Sequence, residues 1–277
     1  MIRRIVRWLA ANGVADVVVN LHHLPATVTS VVGDGADLGV HVRYSWEQPV
    51  VLGSAGGPRQ ALEIVGAPRF LIVNGDTLTD VDLTALTAAH ESAGALVTLA
   101  LTSNREPSRY GGVLLDSTSR VTGFLPRGAG AERSSHFLGV QIAEARAFCE
   151  LPVGSPINSI GGAYDELVAR APGALRGYTS AAAFWDVGTT ADYLTACRAL
   201  AGSVDPPHGR SVHIAPSARV TRSILWDDID VGAGARLDEC IVTDGVRVPA
   251  GVGYSRAILR AGADGRLIAD ELTSSNG

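Results

Sequence analysis

The chain has 277 residues, enough for one large domain or one and a half, and its 46% hydrophobic content can fill a real core. Its formal charge is −5 at pH 7 and the basic residues are scattered singly, which argues against nucleic-acid and membrane partners and favours a small molecule. All 23 basic residues are arginines, so Schiff-base and lysine general-base chemistry is excluded.

The cysteines and the start of the chain indicate the compartment. Cys149, Cys197 and Cys240 are far apart and form no CxxC pair, so we expect reduced structural thiols rather than a disulfide or a metal site. No apolar run approaches the roughly 18 residues of a membrane span, and the arginine-bearing start has helical periodicity rather than the pattern of a signal peptide. These features predict a cytoplasmic protein.

The first part of the chain alternates helical and extended patterns. Apolar spacings of three and four predict an amphipathic helix over the first dozen residues, ended by Gly13. A buried strand over Asp16 to Asn20, a helix near Pro25 to Val32 and a strand near Val40 to Tyr44 follow. This alternation is typical of a doubly wound sheet, although the strand and phosphate-binding turn that normally open such a sheet are absent.

A glycine-rich stretch comes next, and Pro58 is expected to open a helix that runs to about Val65. The glycines would let the backbone approach a flat or anionic ligand, and the helix N-terminus would offer free N–H groups. A plain turn between a strand and a helix explains the same composition. The stretch is Leu52-Gly53-Ser54-Ala55-Gly56-Gly57.

The segment Arg69 to Asp76 is the one around which the chain is organised. An apolar run ends in Asn74-Gly75-Asp76, which predicts a buried parallel strand with a carboxylate at its C-terminal tip. Ligands bind at such tips in open α/β sheets, so Asp76 is the first candidate for chemistry.

The later patterns add two charged candidates. A hairpin predicted from residues 109–116 and 121–125 ends at Arg127, which is either a phosphate ligand or a solvated arginine. Asp186 lies between an aromatic pair and a Gly-Thr turn, where it either caps the next helix or converges with Asp76 on a ligand. Two aspartates from separate strand ends suit Mg²⁺. The other predicted elements are helices over residues 83–92, 160–170 and up to 201, and strands over 95–102 and 137–142.

The composition changes from about Gly202, and Pro206-Pro207 marks a linker. Beyond it, apolar residues recur with glycine and small residues at roughly fifteen to eighteen positions, which resembles the coils of a parallel β-helix built from hexapeptide units. About three coils are few, so we expect the first domain or another subunit to cover the open end of the β-helix. Cover by another subunit would make the protein a homo-oligomer formed through the β-helix. Residues from Asp270 to Gly277 are expected to fray.

Together these segments resemble the nucleotidylyltransferase family that makes nucleotide sugars from a nucleoside triphosphate and a sugar 1-phosphate. The resemblance implies an α/β fold with a doubly wound, Rossmann-like mixed sheet, its first strand and loop missing, followed by a short left-handed parallel β-helix. The implied domains are a nucleotidyltransferase domain (1–201), a linker (202–211), the β-helix (212–265) and a tail (266–277). The matching segments are Ser45-Trp46-Glu47, Leu52 to Gly57, Asn74-Gly75-Asp76, Tyr110-Gly111 and Trp185 to Thr189.

The resemblance also implies site roles. Asp76 and Asp186 would hold Mg²⁺, Gly111 and Gly139 would border the sugar, and Arg127 would take the place of the lysine that grips the sugar phosphate in the family. The sugar phosphate would displace pyrophosphate in line, without a covalent intermediate. The residues assigned to the nucleotide are Leu52, Gly53, Ser54, Ala55, Gly56, Gly57, Asn74 and Gly75.

One feature of the family is missing at the front. Its members begin with a strand and a glycine-rich signature, ending in Thr-Arg, that wraps the triphosphate, whereas this chain starts at the helix that follows. We expect either a start codon assigned too late or a shortened chain, and poor solubility of the chain alone because strand edges would be uncovered.

Three functions remain open. The first is sugar-1-phosphate nucleotidyl transfer, with mannose 1-phosphate and GTP preferred over glucose and N-acetylhexosamine forms. The second is a non-catalytic nucleotide-sugar-binding or regulatory paralogue. The third is acyl transfer on the β-helix with a histidine base, although packing or solvated roles are favoured for His208 and His213.

Overall fold

The structure is a computed structural model that describes residues 1–128, 130–201 and 208–273. Its contacts divide the chain into two compact units, Met1–Phe184 and Trp185–Gly277. The helix that ends at residue 201 therefore groups with the C-terminal unit, whereas the sequence places it in the first domain. Residues 202–207 of the predicted linker lie outside the described residues.

The first unit alternates helices and strands, as the sequence predicts. Its helices are α1 (Ile2–Ala11), α2 (Pro25–Val32), α3 (Gly53–Val65), α4 (Leu83–Ala93) and α5 (Tyr164–Arg170). Its strands are β1 (Asp16–Leu21), β2 (His41–Trp46), β3 (Arg69–Val73), β4 (Thr77–Thr79), β5 (Val97–Ser103), β6 (Gly112–Leu115), β7 (Val121–Leu125), β8 (Ser135–Glu144) and β9 (Leu175–Thr179), and β10 (Phe184–Asp186) continues into the second unit. The sequence predictions missed β4 and β9.

Two local predictions differ from the structure. The helix predicted from residue 160 begins only at Tyr164, because Gly161 has a φ of +78° and its neighbours are also non-helical. The predicted hairpin is confirmed as β6 and β7, which pair antiparallel. The predicted first helix is confirmed as well, and Gly13 follows its end with a φ of +83°.

The strands of the first unit form separate sheets. β1 and β2 pair in parallel, and Asp16 lies beside His41 at the start of this ladder. The larger sheet has the order β7-β6-β8-β5-β9, with β3 added antiparallel to β8. The prediction that β3 is a buried strand among parallel neighbours is therefore wrong, since its partner runs the other way and its apolar side chains are only partly buried.

The core of the first unit lies on both faces of these sheets. One cluster joins β5, β9 and α5 around the fully buried Phe148. A second cluster packs α1 against β3, β5 and β8, with Leu86 and Leu138 fully buried. A third joins α1, α2 and β2. In the described residues, no helix combines the length and apolarity needed to cross a membrane, and the predicted cytoplasmic location stays a prediction.

The second unit contains α6 (Thr190–Ala201) and a stack of short strands. Parallel ladders pair residues seventeen positions apart, such as Val212 with Ile229 and Asp230 with Arg247. This regular stacking of hexapeptide repeats is consistent with the expected left-handed β-helix. The strands are β11 (Val212–Ile214), β12 (Arg219–Thr221), β13 (Ile224–Leu225), β14 (Ile229–Val231), β15 (Arg236–Asp238), β16 (Ile241–Val242), β17 (Arg247–Val248), β18 (Gly253–Ser255), β19 (Ala257–Ala261) and β20 (Leu267–Glu271).

The end of the chain corrects one prediction. Residues from Asp270 were expected to fray, yet β20 pairs antiparallel with β19 and places Asp270 beside Ile258. The Arg260 side chain donates a 2.6 Å hydrogen bond to the Asp270 carboxylate, and Leu272 is buried beside α6. Cross-strand pairing and this buried leucine therefore order part of the predicted tail. Residues 274–277 lie outside the described residues.

Candidate active site

Asp76 follows β3 directly, in the turn formed by Asn74, Gly75 and Asp76, as the sequence predicts. Its side chain is exposed, and the Thr77 hydroxyl donates a long hydrogen bond of 3.4 Å to Asp76 Oδ1. An exposed carboxylate with one weak contact leaves its oxygens accessible to a hard cation. Asp76 therefore fits the predicted role of a Mg²⁺ ligand.

Gly139 supports this turn from β8. It is buried, and its φ of +73° lies in the left-handed region that favours glycine. The Asn74 N–H donates a 2.8 Å hydrogen bond to the Gly139 carbonyl. A Cβ at Gly139 would lie 2.9 Å from Thr77 Oγ1 and 3.0 Å from the Asn74 Cβ. The structure thus brings together two predicted site residues, Gly139 and Asn74, and gives a packing reason for the glycine.

The glycine-rich stretch is the first turn of a helix rather than a loop before one. α3 begins at Gly53, with Leu52 as its N-cap, so the prediction that Pro58 opens the helix is wrong. The early start is stabilised by contacts that the sequence does not reveal. The Ala55 and Gly56 N–H groups donate to the Ile157 carbonyl at 2.9 and 3.0 Å. These N–H groups, expected to be free for a ligand, bond within the protein.

Close approach of the chain to itself explains the glycines of this turn. A Cβ at Gly53 would lie 2.8 Å from Asn158 Oδ1, and a Cβ at Gly56 would clash with the Ser155 carbonyl oxygen. Ser54 is exposed, and its Oγ accepts a 2.8 Å hydrogen bond from the Ser159 N–H. Segment 155–159 was not predicted as part of the site. It is 105 positions away along the chain from Ser54, and no local pattern could have indicated it.

Glu47 is a second contributor whose role the sequence did not reveal. It is only 5% exposed, and its Oε2 accepts a 2.6 Å hydrogen bond from the Leu52 N–H. A Cβ at Gly57 would meet the same carboxylate and lie 2.5 Å from Asn20 Nδ2. A buried acidic residue therefore holds the start of α3. The sequence does contain one signal for this role, namely an acidic residue five positions before the start of the glycine-rich stretch, close enough to bind the N-terminus of the helix.

The predicted sugar-phosphate residues meet at the end of the β6–β7 hairpin. A Cβ at Gly111 would lie 2.8 Å from the Leu125 carbonyl and 3.8 Å from the Arg127 backbone nitrogen. The Arg127 side chain is exposed. Asn104 is buried beside them, and its Nδ2 donates to the Tyr110 carbonyl at 3.2 Å. The structure therefore brings Gly111 and Arg127 together, with an exposed guanidinium that can meet an anion.

Aromatic rings lie next to Gly111. The Tyr110 ring centroid is 4.1 Å from that of His136 and 5.9 Å from that of Phe184, and the Arg109 guanidinium lies 5.0 Å from the Tyr110 ring centre. His136 belongs to β8, three positions before Gly139. The sequence analysis missed His136, which lies one position before the predicted strand 137–142 and inside the observed β8.

Asp186 ends β10 and belongs to the second unit, so its predicted convergence with Asp76 stays a prediction. The alternative role predicted for Asp186 was to cap α6, but Thr189 occupies the N-cap position of that helix. Thr189 Oγ1 accepts a 3.1 Å hydrogen bond from the Asp192 N–H and donates a 2.7 Å bond to the Asp192 carboxylate, which is the geometry of an N-cap. Across the described ranges, no group of three or more His, Cys, Asp or Glu side chains is placed to hold a metal.

Two family models match the chain. A family model described as nucleotidyl transferase matches residues 1–202. A model described as the GlmU-like C-terminal hexapeptide matches residues 208–257. The crystal structure of HddC from Yersinia pseudotuberculosis shares the fold with a TM-score of 0.62 at 18% identity, covering 72% of this chain and 84% of that one.

The relatives by sequence are sugar-1-phosphate nucleotidyltransferases. A mannose-1-phosphate guanylyltransferase from Mycobacterium tuberculosis is 27% identical over 255 residues, which cover 88% of this chain and 71% of the relative. A UTP-glucose-1-phosphate uridylyltransferase from Synechocystis is 26% identical over 260 residues, which cover 87% of this chain and 66% of the relative. The chain thus spans about two thirds of their length. Since the first model covers residues 1–202, the chain belongs to the nucleotidyl transferase family.

Proposed function

We propose that the chain transfers a nucleotidyl group from a nucleoside triphosphate to a sugar 1-phosphate and releases pyrophosphate. The observation that carries the proposal is the Asn74–Asp76 turn, which presents an exposed carboxylate directly after β3 and is supported by Gly139. In open α/β sheets, ligands bind at this position. Family membership supplies the reaction class.

Each residue contributes a separate task to this reaction. Asp76 and Asp186 are the proposed ligands of Mg²⁺, which when bound neutralises phosphate charge during in-line displacement. Arg127 holds the sugar phosphate through its exposed guanidinium, and Gly111 and Gly139 border the sugar. The residues proposed to contact the nucleotide are Leu52, Gly53, Ser54, Ala55, Gly56, Gly57, Asn74 and Gly75.

Mannose 1-phosphate and GTP are the substrates that we propose as preferred. Support comes from the name of the Mycobacterium tuberculosis relative, a mannose-1-phosphate guanylyltransferase. The Synechocystis relative is named for glucose 1-phosphate and UTP, so both pairs belong in the test. We also propose a homo-oligomer formed through the β-helix, because a stack this short leaves open ends.

The test is pyrophosphate release by the 277-residue chain with Mg²⁺, measured for each pairing of four nucleoside triphosphates with mannose, glucose and N-acetylglucosamine 1-phosphates. We expect turnover that is fastest with GTP and mannose 1-phosphate. The variant Asp76→Asn should lower the rate by at least about 100-fold, because a metal ligand is lost. The matched control is Asp264→Asn, which changes an exposed carboxylate in the turn between β19 and β20 and should leave the rate unchanged.

A second candidate function is nucleotide-sugar binding without turnover. The observation that favours it is the internal use of the Leu52, Ala55 and Gly56 N–H groups, which are therefore not free for a triphosphate. Calorimetric binding of a nucleotide sugar together with no pyrophosphate release would select this candidate. Turnover that survives Asp76→Asn would instead contradict the role proposed for Asp76.

A further inference from the structure

Asn104 opens the loop that joins β5 to β6, which we call the β5–β6 loop (residues 104–111), and its side chain is only 6% exposed. Its Nδ2 donates to the Tyr110 carbonyl at 3.2 Å, to the Gly111 carbonyl at 3.4 Å and to Ser134 Oγ at 3.3 Å. Among the described residues, its buried Oδ1 has no hydrogen-bond partner. A buried acceptor without a partner costs free energy, so filling space does not explain an asparagine here. The side chain acts through its donor.

The two main-chain carbonyls that contact Nδ2 belong to consecutive residues. In an extended strand, consecutive carbonyls point to opposite sides, so one neighbouring strand cannot satisfy both. Tyr110 and Gly111 lie just before β6, which begins at Gly112. A side-chain amide has two hydrogens to donate and can meet both carbonyls. Asn104 therefore fixes the direction of the peptide groups on either side of Gly111.

Ser134 anchors Asn104 just before the start of β8. The Asn104 N–H donates a 3.2 Å hydrogen bond to the Ser134 carbonyl. The Ser134 hydroxyl donates a 2.6 Å hydrogen bond to the Ala131 carbonyl, which leaves its oxygen to accept from Asn104. A Cβ at Gly112 would clash with Ser134 Oγ, so little space remains around this serine. Both the main chain and the side chain of Asn104 are therefore held.

The β5–β6 loop meets the hairpin end that carries Arg127 at two points. The Pro107 carbonyl accepts a 2.7 Å hydrogen bond from the Gly128 N–H. Gly111 packs so closely on the Leu125 carbonyl that a Cβ would lie 2.8 Å from that oxygen. Because Leu125 and Gly128 lie on either side of Arg127 along the chain, a shift of the loop would also move Arg127.

We propose that Asn104 is a positioning residue for the sugar 1-phosphate, because its amide fixes the loop that contains Gly111 and supports Arg127. The inference rests on the proposed function, in which Gly111 borders the sugar and Arg127 holds its phosphate. Asn104 acts through these residues, since its own side chain is buried. Within the described part of the chain, its hydrogen bonds reach none of the residues proposed to contact the nucleotide. Loss of the amide should therefore affect one substrate more than the other.

The test compares two variants of the full 277-residue chain. Asn104→Leu keeps about the same side-chain volume and removes the donor, whereas Asn104→Ala removes both. Pyrophosphate release is measured with Mg²⁺ and the substrate pair on which the unmodified chain is fastest. We expect both variants to raise the KM for the sugar 1-phosphate by at least about fivefold and to change the KM for the nucleoside triphosphate by less than about twofold.

Amide hydrogen exchange followed by NMR gives a readout that does not depend on turnover. The Gly128 N–H reports the contact between the β5–β6 loop and the hairpin end. The Tyr110 N–H, which donates to the Glu106 carbonyl at 2.9 Å, reports closure of the loop itself. We expect both amides to exchange about three- to tenfold faster in Asn104→Leu than in the unmodified chain.

Thr98→Val is the matched control. Thr98 lies on β5, six positions before Asn104, and it is also buried. Its hydroxyl is 2.8 Å from His90 Nδ1, so the valine removes a buried hydrogen bond at nearly constant volume. We expect Thr98→Val to lower the free energy of unfolding but to leave both KM values and the exchange of the Gly128 amide unchanged.

The possible outcomes separate this inference from the proposed function. An unchanged KM for the sugar 1-phosphate in Asn104→Leu, or equal rises in the two KM values, would overturn the positioning role. An unmodified KM in Asn104→Leu with a raised KM in Asn104→Ala would show that Asn104 only fills space. Unchanged amide exchange in Asn104→Leu would also overturn the positioning role. Absence of pyrophosphate release by the unmodified chain would instead overturn the proposed function and, with it, the substrate assigned here.

Discussion

Replacing Gly139 by alanine tests whether packing beneath the Asn74–Asp76 turn sets the position of Asp76. The new methyl group would lie 2.9 Å from Thr77 Oγ1 and 3.0 Å from the Asn74 Cβ, closer than non-bonded atoms tolerate. The turn must then move or the protein must lose stability. Either movement of the turn or loss of stability would disturb the position of Asp76, the proposed metal ligand.

The expected free-energy change has two parts. An alanine at a φ of +73° is strained by about 1–2 kcal/mol, of which roughly 0.4–1 kcal/mol is offset because alanine restricts the unfolded chain. Overpacking of the buried site adds about 1–3 kcal/mol. The sum is a loss of about 1–5 kcal/mol in the free energy of unfolding.

Gly154 provides a matched control. Its φ is +74°, and nothing lies within 4 Å of a Cβ built there. Gly154→Ala therefore carries the backbone strain without the overpacking and should lower the free energy of unfolding by only about 1 kcal/mol. Urea unfolding followed by circular dichroism measures both variants, and pyrophosphate release should fall for Gly139→Ala alone. If the two variants lose equal stability, the packing role of Gly139 is wrong.

Three further predictions concern contacts elsewhere in the two units. Glu144→Gln should lower the free energy of unfolding by about 0.5–1.5 kcal/mol at pH 7, because the hydrogen bond from Arg69 holds the pKa of the Glu144 carboxyl below its usual 4.5 while solvent screens the 40% exposed arginine. That stability is present above pH 4.5 and is lost as the pH falls through the lowered pKa, so the two proteins should converge in acid unfolding curves. Ile229→Ala should cost about 2–5 kcal/mol in the β-helix, since Ile229 is 0% exposed, whereas Ile214→Ala at 36% exposure should cost under about 1 kcal/mol in the same urea experiment. Glu47→Ala should cost about 1–3 kcal/mol by removing the acceptor of the Leu52 N–H, and Glu47→Gln, which keeps an acceptor oxygen, should cost less. Equal losses for the two Glu47 variants would contradict this role.

Local patterns predicted most elements of the first unit because they depend on neighbouring residues. The helix Pro25–Val32 is confirmed at both ends, and the strand before Asp76, predicted from a run of apolar residues, is confirmed as β3, although its parallel pairing is not. The failures occur where a distant segment intervenes. α3 starts at Gly53 rather than Pro58 because Ile157 accepts hydrogen bonds from its first turn.

Some features of the candidate site are also visible in the sequence, whereas others depend on the folded structure. A carboxylate at the end of an apolar run is visible in the sequence, and so is the repeat of the β-helix, since both are patterns along the chain. The support of Asp76 by Gly139 and the burial of Glu47 depend on which segments pack together in space. These contacts join residues far apart in the chain, and hydrogen bonding and close packing select them only when the chain has folded.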